Sequence, residues 1–357
     1  MNYEPQSPVD LSDILGPPSS REEILTVLKK NQDTYQRFRS FPPEEQKKLL
    51  SFIAGQQGLK ITYDPFFQKI FSPYYHLDRL ERFLSDLLHE PVRIEKVLPR
   101  EGERLSYEAH IIIMDILVKL EDGARINVEI QKIGMQFPGE RSSCYIADSI
   151  MKEYNELKHT LKENFVYRKM RPVYLIVLME KSSPQFSEVA PHYIHTLQTH
   201  FDSGAKVNTL ENIIYISLDT FHEYIHNINN PLDAWLTFLS SDQPEDILKL
   251  VQAYPEFRDM YAEIAQFRKN TEELIHMYSE ALTIADNNTA KLMIDEMQDE
   301  IKNLTIAVAD KDRSLADMGK SLADKDKAIK DKDKTIAESI TEIEKLRAEI
   351  LRLKENQ

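Results

Sequence analysis

Three side chains near the middle of the sequence carry the chemistry to weigh first: Asp115, Glu129 and Gln131. Asp115 sits inside the apolar run HIIIMDILVKL (His110 to Leu120), and Glu129 and Gln131 end the run ARINVEIQ (Ala124 to Gln131). A carboxylate buried in such a run costs several kcal/mol unless its charge is compensated, and a second carboxylate nearby raises that cost. A divalent cation resolves the conflict. Hard oxygen ligands held close together, with room for water, suit Mg²⁺ or Mn²⁺ better than zinc. The competing account is a hairpin at a sheet edge whose polar residues simply face solvent.

Two strands would bring these residues together. Apolar, β-branched runs flank Glu121-Asp122-Gly123, the pattern of an antiparallel hairpin with a three-residue loop and Gly123 in the left-handed position. Leu120 then faces Ala124, and counting back sets Asp115 opposite Glu129 with Cβ atoms about 5 Å apart. Strand alternation puts Gln131 on the same face, roughly 7 Å further along. Ile126, Val128 and Ile130 form the opposite, core face.

Asp115 followed by Glu129-Ile130-Gln131 on the next strand resembles the split motif of the PD-(D/E)XK nuclease superfamily, with Gln where Lys usually stands. Further stretches resemble its transposase-like branch, the recombination-promoting Rpn nucleases: YDPFFQKIF from Tyr63 to Phe71, LERFLSDLL from Leu80 to Leu88, Arg141 to Tyr145, and LDAWLTFL from Leu232 to Leu239. The resemblance spans residues 61–240. It implies an α/β fold, a mixed sheet with flanking helices like the restriction-endonuclease core, and a Mg²⁺- or Mn²⁺-dependent DNA endonuclease linked to recombination or a mobile element. On this resemblance Asp115, Glu129 and the carbonyl of Ile130 hold the metal, which polarises the phosphodiester and acidifies a bound water. Gln131 orients the attacking water, and Asp64 is a third acidic group, bound directly or through water. A second implication is a binding module that keeps the fold but has lost the chemistry, since Gln131 replaces the usual Lys.

Four of these residues have plainer readings from the sequence. Asp64 before Pro65 is a helix cap with a first-turn proline, or the acid that points into the site. Lys69 is a solvated helix residue or a phosphate contact. Arg141 and Tyr145, four apart on one helix face, either reach the scissile phosphate or are a surface arginine over a packed tyrosine.

Composition sets outer bounds. A net charge of −14 argues against a general polyanion binder, so any DNA must meet a local patch. The single Cys144 excludes an intramolecular disulfide and an all-cysteine metal site and points to a reducing compartment; it reads as a partly buried thiol. No basic leader precedes an apolar core at the N-terminus, and no run is long enough to span a membrane, so a soluble cytoplasmic protein is expected. His222-Glu223-Tyr224-Ile225-His226 fits HExxH, but Asn227 to Pro231 would stop the helix at once and no third ligand follows.

Along the chain, residues 1–19 read as a flexible arm rich in proline. Residues 20–60 read as N-terminal helices, the first opening on the capping box of Ser20 and Glu23 and running to about Arg39, the second opening on Pro43. Within 61–240, helices are expected over Leu77 to Leu88 and Gly139 to Lys162, with strands over Val92 to Leu98, Pro172 to Met179 and Asn212 to Leu218. Residues 241–286 form a helical region. Over 287–357, Ile294, Ile301, Val308, Leu315, Leu322, Ile329, Ile336, Ile343 and Ile350 recur at a period of seven, the a positions of a coiled coil. The d positions mix Met297, Leu304, Met318, Leu346 and Leu353 with Lys311, Lys325, Lys332 and Ser339. A parallel homo-oligomer through residues 290–357 is expected, the alternative being one solvated helix.

Overall fold

Glu121, Asp122 and Gly123 turn the chain between two strands in the expected way. Gly123 has φ +91°, the Asp122 carboxylate accepts the Ala124 N–H at 2.9 Å, and the Leu120 N–H donates to the Ala124 carbonyl at 2.8 Å. Ile116 pairs with Val128, and the register continues to Lys119 against Arg125. The structure, a computed structural model, describes residues 10–98, 116–132 and 138–355. Asp115 lies outside them.

Six strands form one mixed sheet: β1 (Ile94–Val97), β2 (Ile116–Leu120), β3 (Arg125–Gln131), β4 (Val173–Met179), β5 (Ile194–Thr196) and β6 (Glu211–Ser217), in the order β1-β2-β3-β4-β6-β5. The central β3, β4 and β6 are parallel and the outer pairings antiparallel. The edge-of-sheet reading therefore fails for β3, which has neighbours on both sides and is buried along its whole length. Its polar face is covered by protein instead of solvent. The three residues of β5 are too few to show a periodicity, which is why the sequence did not announce them.

Four helices precede the sheet: α1 (Leu11–Leu15), α2 (Arg21–Leu28), α3 (Gln32–Ser40) and α4 (Pro43–Ile53). Ser20 and Glu23 make the expected capping box, with the Ser20 N–H donating to Glu23 at 2.8 Å. The single helix expected from Ser20 to Arg39 is two, because the Asn31 side chain accepts the N–H groups of Asp33 and Thr34 and starts a new helix. Nor are residues 11–17 a free arm. Ile14 and Leu15 are buried, and the Arg268 guanidinium holds the carbonyls of Leu15, Gly16 and Pro17.

The remaining α-helices follow in chain order. They are α5 (Asp64–Ile70), α6 (Leu77–Leu88), α7 (Pro138–Leu161), α8 (Pro184–Ser187), α9 (Leu218–Tyr224), α10 (Pro231–Ser240), α11 (Pro244–Ala253), α12 (Phe257–Gln266) and α13 (Thr271–Glu355). On one face α5, α6 and α10 pack on Ile126, Val128 and Ile130 in the larger core. The stretches that carry the family resemblance meet there: Phe71, Phe83 and Trp235 lie 5.8–6.1 Å apart by ring centroid, and the Trp235 indole donates to Asp86 at 2.9 Å. Each such ring contributes about 1.5–3 kcal/mol by burial. On the other face α7 seats Tyr145 and Ile146 against Val173, Leu175, Val177 and Met179. Helices on both faces of a mixed sheet are what the sequence leads one to expect.

Two units divide the chain, Met1–Leu292 and Met293–Gln357. In the first, the opening turns of α13 bury Leu274, Ile275, Tyr278 and Ala281. The second is helical through Glu355, and its a positions from Ile301 to Ile350 are 50–63% exposed. Among the described residues no helix is long and apolar enough to cross a membrane. Helix α9 stops at Tyr224, so His226 lies beyond it and the two histidines of HExxH do not share a helical face.

Candidate functional site

Alternation along β3 sends Arg125, Asn127, Glu129 and Gln131 to the side covered by α7, and all four are at least 96% buried. A strand enclosed between β2 and β4 leaves no polar side chain an easy route to water, so each must find a partner within the layer or hold a ligand. Arg125 is paired with Glu153 at 2.7 Å and also with Glu156, both on α7. Glu129 takes the Arg141 guanidinium at 3.2 Å. Thus one helix supplies both countercharges.

Arg141 and Tyr145 do share a face, with the guanidinium 5.0 Å from the centre of the Tyr145 ring. Burial, with the nearby Glu129 charge, pushes the Tyr145 phenol well above its ordinary pKa. It stays a neutral donor at any working pH. The structure therefore brings Glu129, the half-buried Arg141 and Tyr145 together, with Gln131 two residues on along the same buried face of β3. Gln131 has a buried amide oxygen with no hydrogen-bond partner among the described residues, and both amide atoms of Asn127 are in the same position. An enclosed carboxylate beside buried amide oxygens is a set of hard donors, and that chemistry fits a hard divalent cation. Among the described residues no group of three or more His, Cys, Asp or Glu is assembled to hold a metal, and Asp115, expected opposite Glu129, lies outside the described residues.

The far end of β3 carries a second network that sequence reasoning overlooked. Lys132 follows Gln131, so its side chain goes to the opposite face, where its ammonium pairs with Glu180 and lies 3.4 Å from the centre of the Tyr63 ring. Lys60 reaches the other Glu180 oxygen at 2.7 Å, and the Thr62 hydroxyl donates to Glu180 at 2.7 Å. Burial pushes the Glu180 carboxyl up, but Lys132 and Lys60 outweigh it and hold the group down at about 2. The network joins the ends of β3 and β4 to the residues leading into α5. The one available signal was the charged residue ending each of two apolar strands.

Helix α5 begins at Asp64 itself, with Tyr63 as its extended flanking residue, one position before the expected cap. The placement of the Asp64 side chain lies outside what the structure describes. The Lys69 ammonium pairs with Glu273 and lies 4.9 Å from the centre of the Phe267 ring. Cys144, read as partly buried, is exposed on α7, because it falls one residue short of the inward-facing Tyr145.

A family profile described as PD-(D/E)XK nuclease family transposase matches residues 62–293, well over half of the chain. The match begins just before α5 and ends with the first structural unit. Neither a curated protein nor a solved structure matches the chain.

Proposed function

Since the chain belongs to the PD-(D/E)XK nuclease family transposases, we propose that it is a metal-dependent DNA endonuclease serving recombination or a mobile element, with its reaction site at the end of β3. The observation that carries this reading is the Glu129 carboxylate, buried on a central strand of the sheet.

Asp115, Glu129 and the Ile130 carbonyl would hold Mg²⁺ or Mn²⁺. The bound ion would supply charge to the phosphodiester and acidify the attacking water. Gln131, which can both accept and donate a hydrogen bond, orients that water but cannot take its proton at neutral pH. Asp64, at the head of α5, is the further acid of the set. Arg141 balances Glu129 in the protein as it stands; with a cation bound there its guanidinium would be available to two phosphate oxygens, a bidentate contact that lysine cannot reproduce. Tyr145 braces Arg141 from below and donates without ionising.

The Glu129–Arg141 pair also favours a second reading. A carboxylate that already has an internal cation is what a silent, DNA-binding relative would keep. Thermal melting against Mg²⁺ and Mn²⁺ separates the two, because a ligand that binds only the folded state raises the midpoint. The endonuclease reading expects a rise in the wild type that Glu129→Gln abolishes; no rise in the wild type supports the silent module.

The exposed heptad stripe of the second unit supports assembly as well. Isoleucines at a with polar d positions at Lys311, Lys325 and Lys332 are best satisfied by two parallel helices. A dimer would present two reaction sites, as a double-strand cut or a paired-end reaction requires.

A further inference from the structure

The outer surface of α7 differs from the rest of this acidic chain. Its acids between Glu140 and Glu163 are turned inward or taken up: Asp148 is buried beside Lys152, Glu153 is buried on Arg125, and Glu156 is held by Arg125, Lys96 and Lys119. The outward positions toward the helix end carry Lys158 and His159, Lys162 stands just past it, and the segment that follows adds Arg168, Lys169 and Arg171, all exposed. Glu163 is the one exposed acid among residues 141–171. The internal ion pairs that fasten α7 to the sheet thus remove negative charge from the surface and leave the basic residues outside.

Aromatic rings lie within this patch. Tyr167 is 73% exposed, and its ring stacks on Tyr154 at 6.2 Å and 17°. Phe165 props both edge-on at 5.3 Å, and the Lys158 ammonium sits 5.1 Å from the centre of the Tyr154 ring. A flat, propped ring bordered by cations is the pairing that binds nucleic-acid strands, phosphates to the cations and bases to the ring. An apolar protein partner would not need the charge.

We propose that the C-terminal half of α7 and the segment through Arg171 form a docking surface for the sugar-phosphate backbone of DNA, separate from the reaction site, with Tyr167 as a platform for an unpaired base. The identity of the polyanion as DNA rests on the endonuclease reading. Lys158 is seventeen residues from Arg141 on one helix, about 25 Å at 1.5 Å per residue, or roughly seven base pairs of duplex. A single rigid element therefore spaces the docking contacts from the reaction site. It also answers the objection from net charge, since counterion release depends on local cations.

The test is the affinity of the full chain for a labelled duplex and a labelled single strand in EDTA, measured across a salt series. Neutralising four docking residues (K158Q/K162Q/R168Q/K169Q) is expected to weaken binding at least about tenfold at moderate salt and to flatten the salt slope by about 2–4. A control of equal charge change on other exposed lysines (K30Q/K47Q/K249Q/K269Q) is expected to leave both within about twofold. The pairs K158Q/K162Q and R168Q/K169Q should each give an intermediate loss, which keeps the test valid if the quadruple variant folds poorly. Unchanged binding by the docking variants, an equal loss in the control, or no DNA binding by the wild type would overturn the proposal. A wild type that cuts while its docking variants bind normally refutes the surface alone. A chain that binds through the surface but never cuts refutes the endonuclease alone.

Discussion

Gln131 and Arg141 are the residues on which the chemistry divides most sharply. A neutral amide can only orient water, so Gln131→Ala is expected to slow cleavage roughly 10–100-fold, the usual cost of losing an outer contact at a metal site, while Gln131→Lys retains activity. A Gln131→Ala protein as inactive as one lacking Glu129 would contradict that role. Arg141→Ala removes the guanidinium beside the buried Glu129 and should destabilise the protein by about 1–3 kcal/mol in EDTA. Mg²⁺ should then raise its melting midpoint more than that of the wild type; an equal or smaller rise would show that the guanidinium and the cation do not share Glu129. At Glu180 the prediction concerns pH. Its folded carboxyl titrates near 2, below the unfolded value, so its stabilisation is present above about pH 4.5 and is lost as pH falls toward 2. That loss is roughly 3 kcal/mol by linkage. Urea unfolding across this window should show the wild type losing that much more than Glu180→Gln; parallel curves would refute the assignment.

At the level of elements, the hairpin was legible because its loop, its glycine and its alternation all point one way: the observed pairing of Val118 with Ile126 is the one counted from Leu120 and Ala124. The apolar strand β4 and helices α6 and α7 were legible for the same reason. What the sequence concealed was the environment of β3. Asn127, Glu129 and Gln131 have the spacing of a solvent-facing row, and only the parallel pairing with β4 and the cover of α7 bury them. Arg125 was unremarkable as the first residue of a strand, yet it is buried against Glu153, twenty-eight residues away. The Arg125–Glu153 bond fastens α7 to β3, so Arg125→Met is expected to cost about 3–5 kcal/mol because it strands the buried Glu153, and Glu153→Leu less, because Arg125 keeps Glu156. The double variant should recover most of that loss. Additive losses in denaturant melts would show that the two groups do not act as a pair.

For the whole molecule, the division at Leu292 separates a unit with packed apolar cores from a helix whose stripe of Ile, Leu and Val is left exposed. Removing residues 293–357 should reduce the mass seen by light scattering to that of a single truncated chain, with the melting of the first unit preserved. A full-length chain that is itself monomeric would refute the coiled-coil assembly. The family match ends at residue 293, so the truncated chain should still bind Mg²⁺. The most direct measurement is the conversion of supercoiled plasmid by the full-length wild type and by Glu129→Gln, each with Mg²⁺ and with EDTA. Nicked or linear DNA should appear only with wild type and Mg²⁺, and Glu129→Gln should stay at background while melting as a folded protein. Equal cutting by Glu129→Gln, or cutting by the wild type in EDTA, would contradict a metal-dependent reaction centred on Glu129.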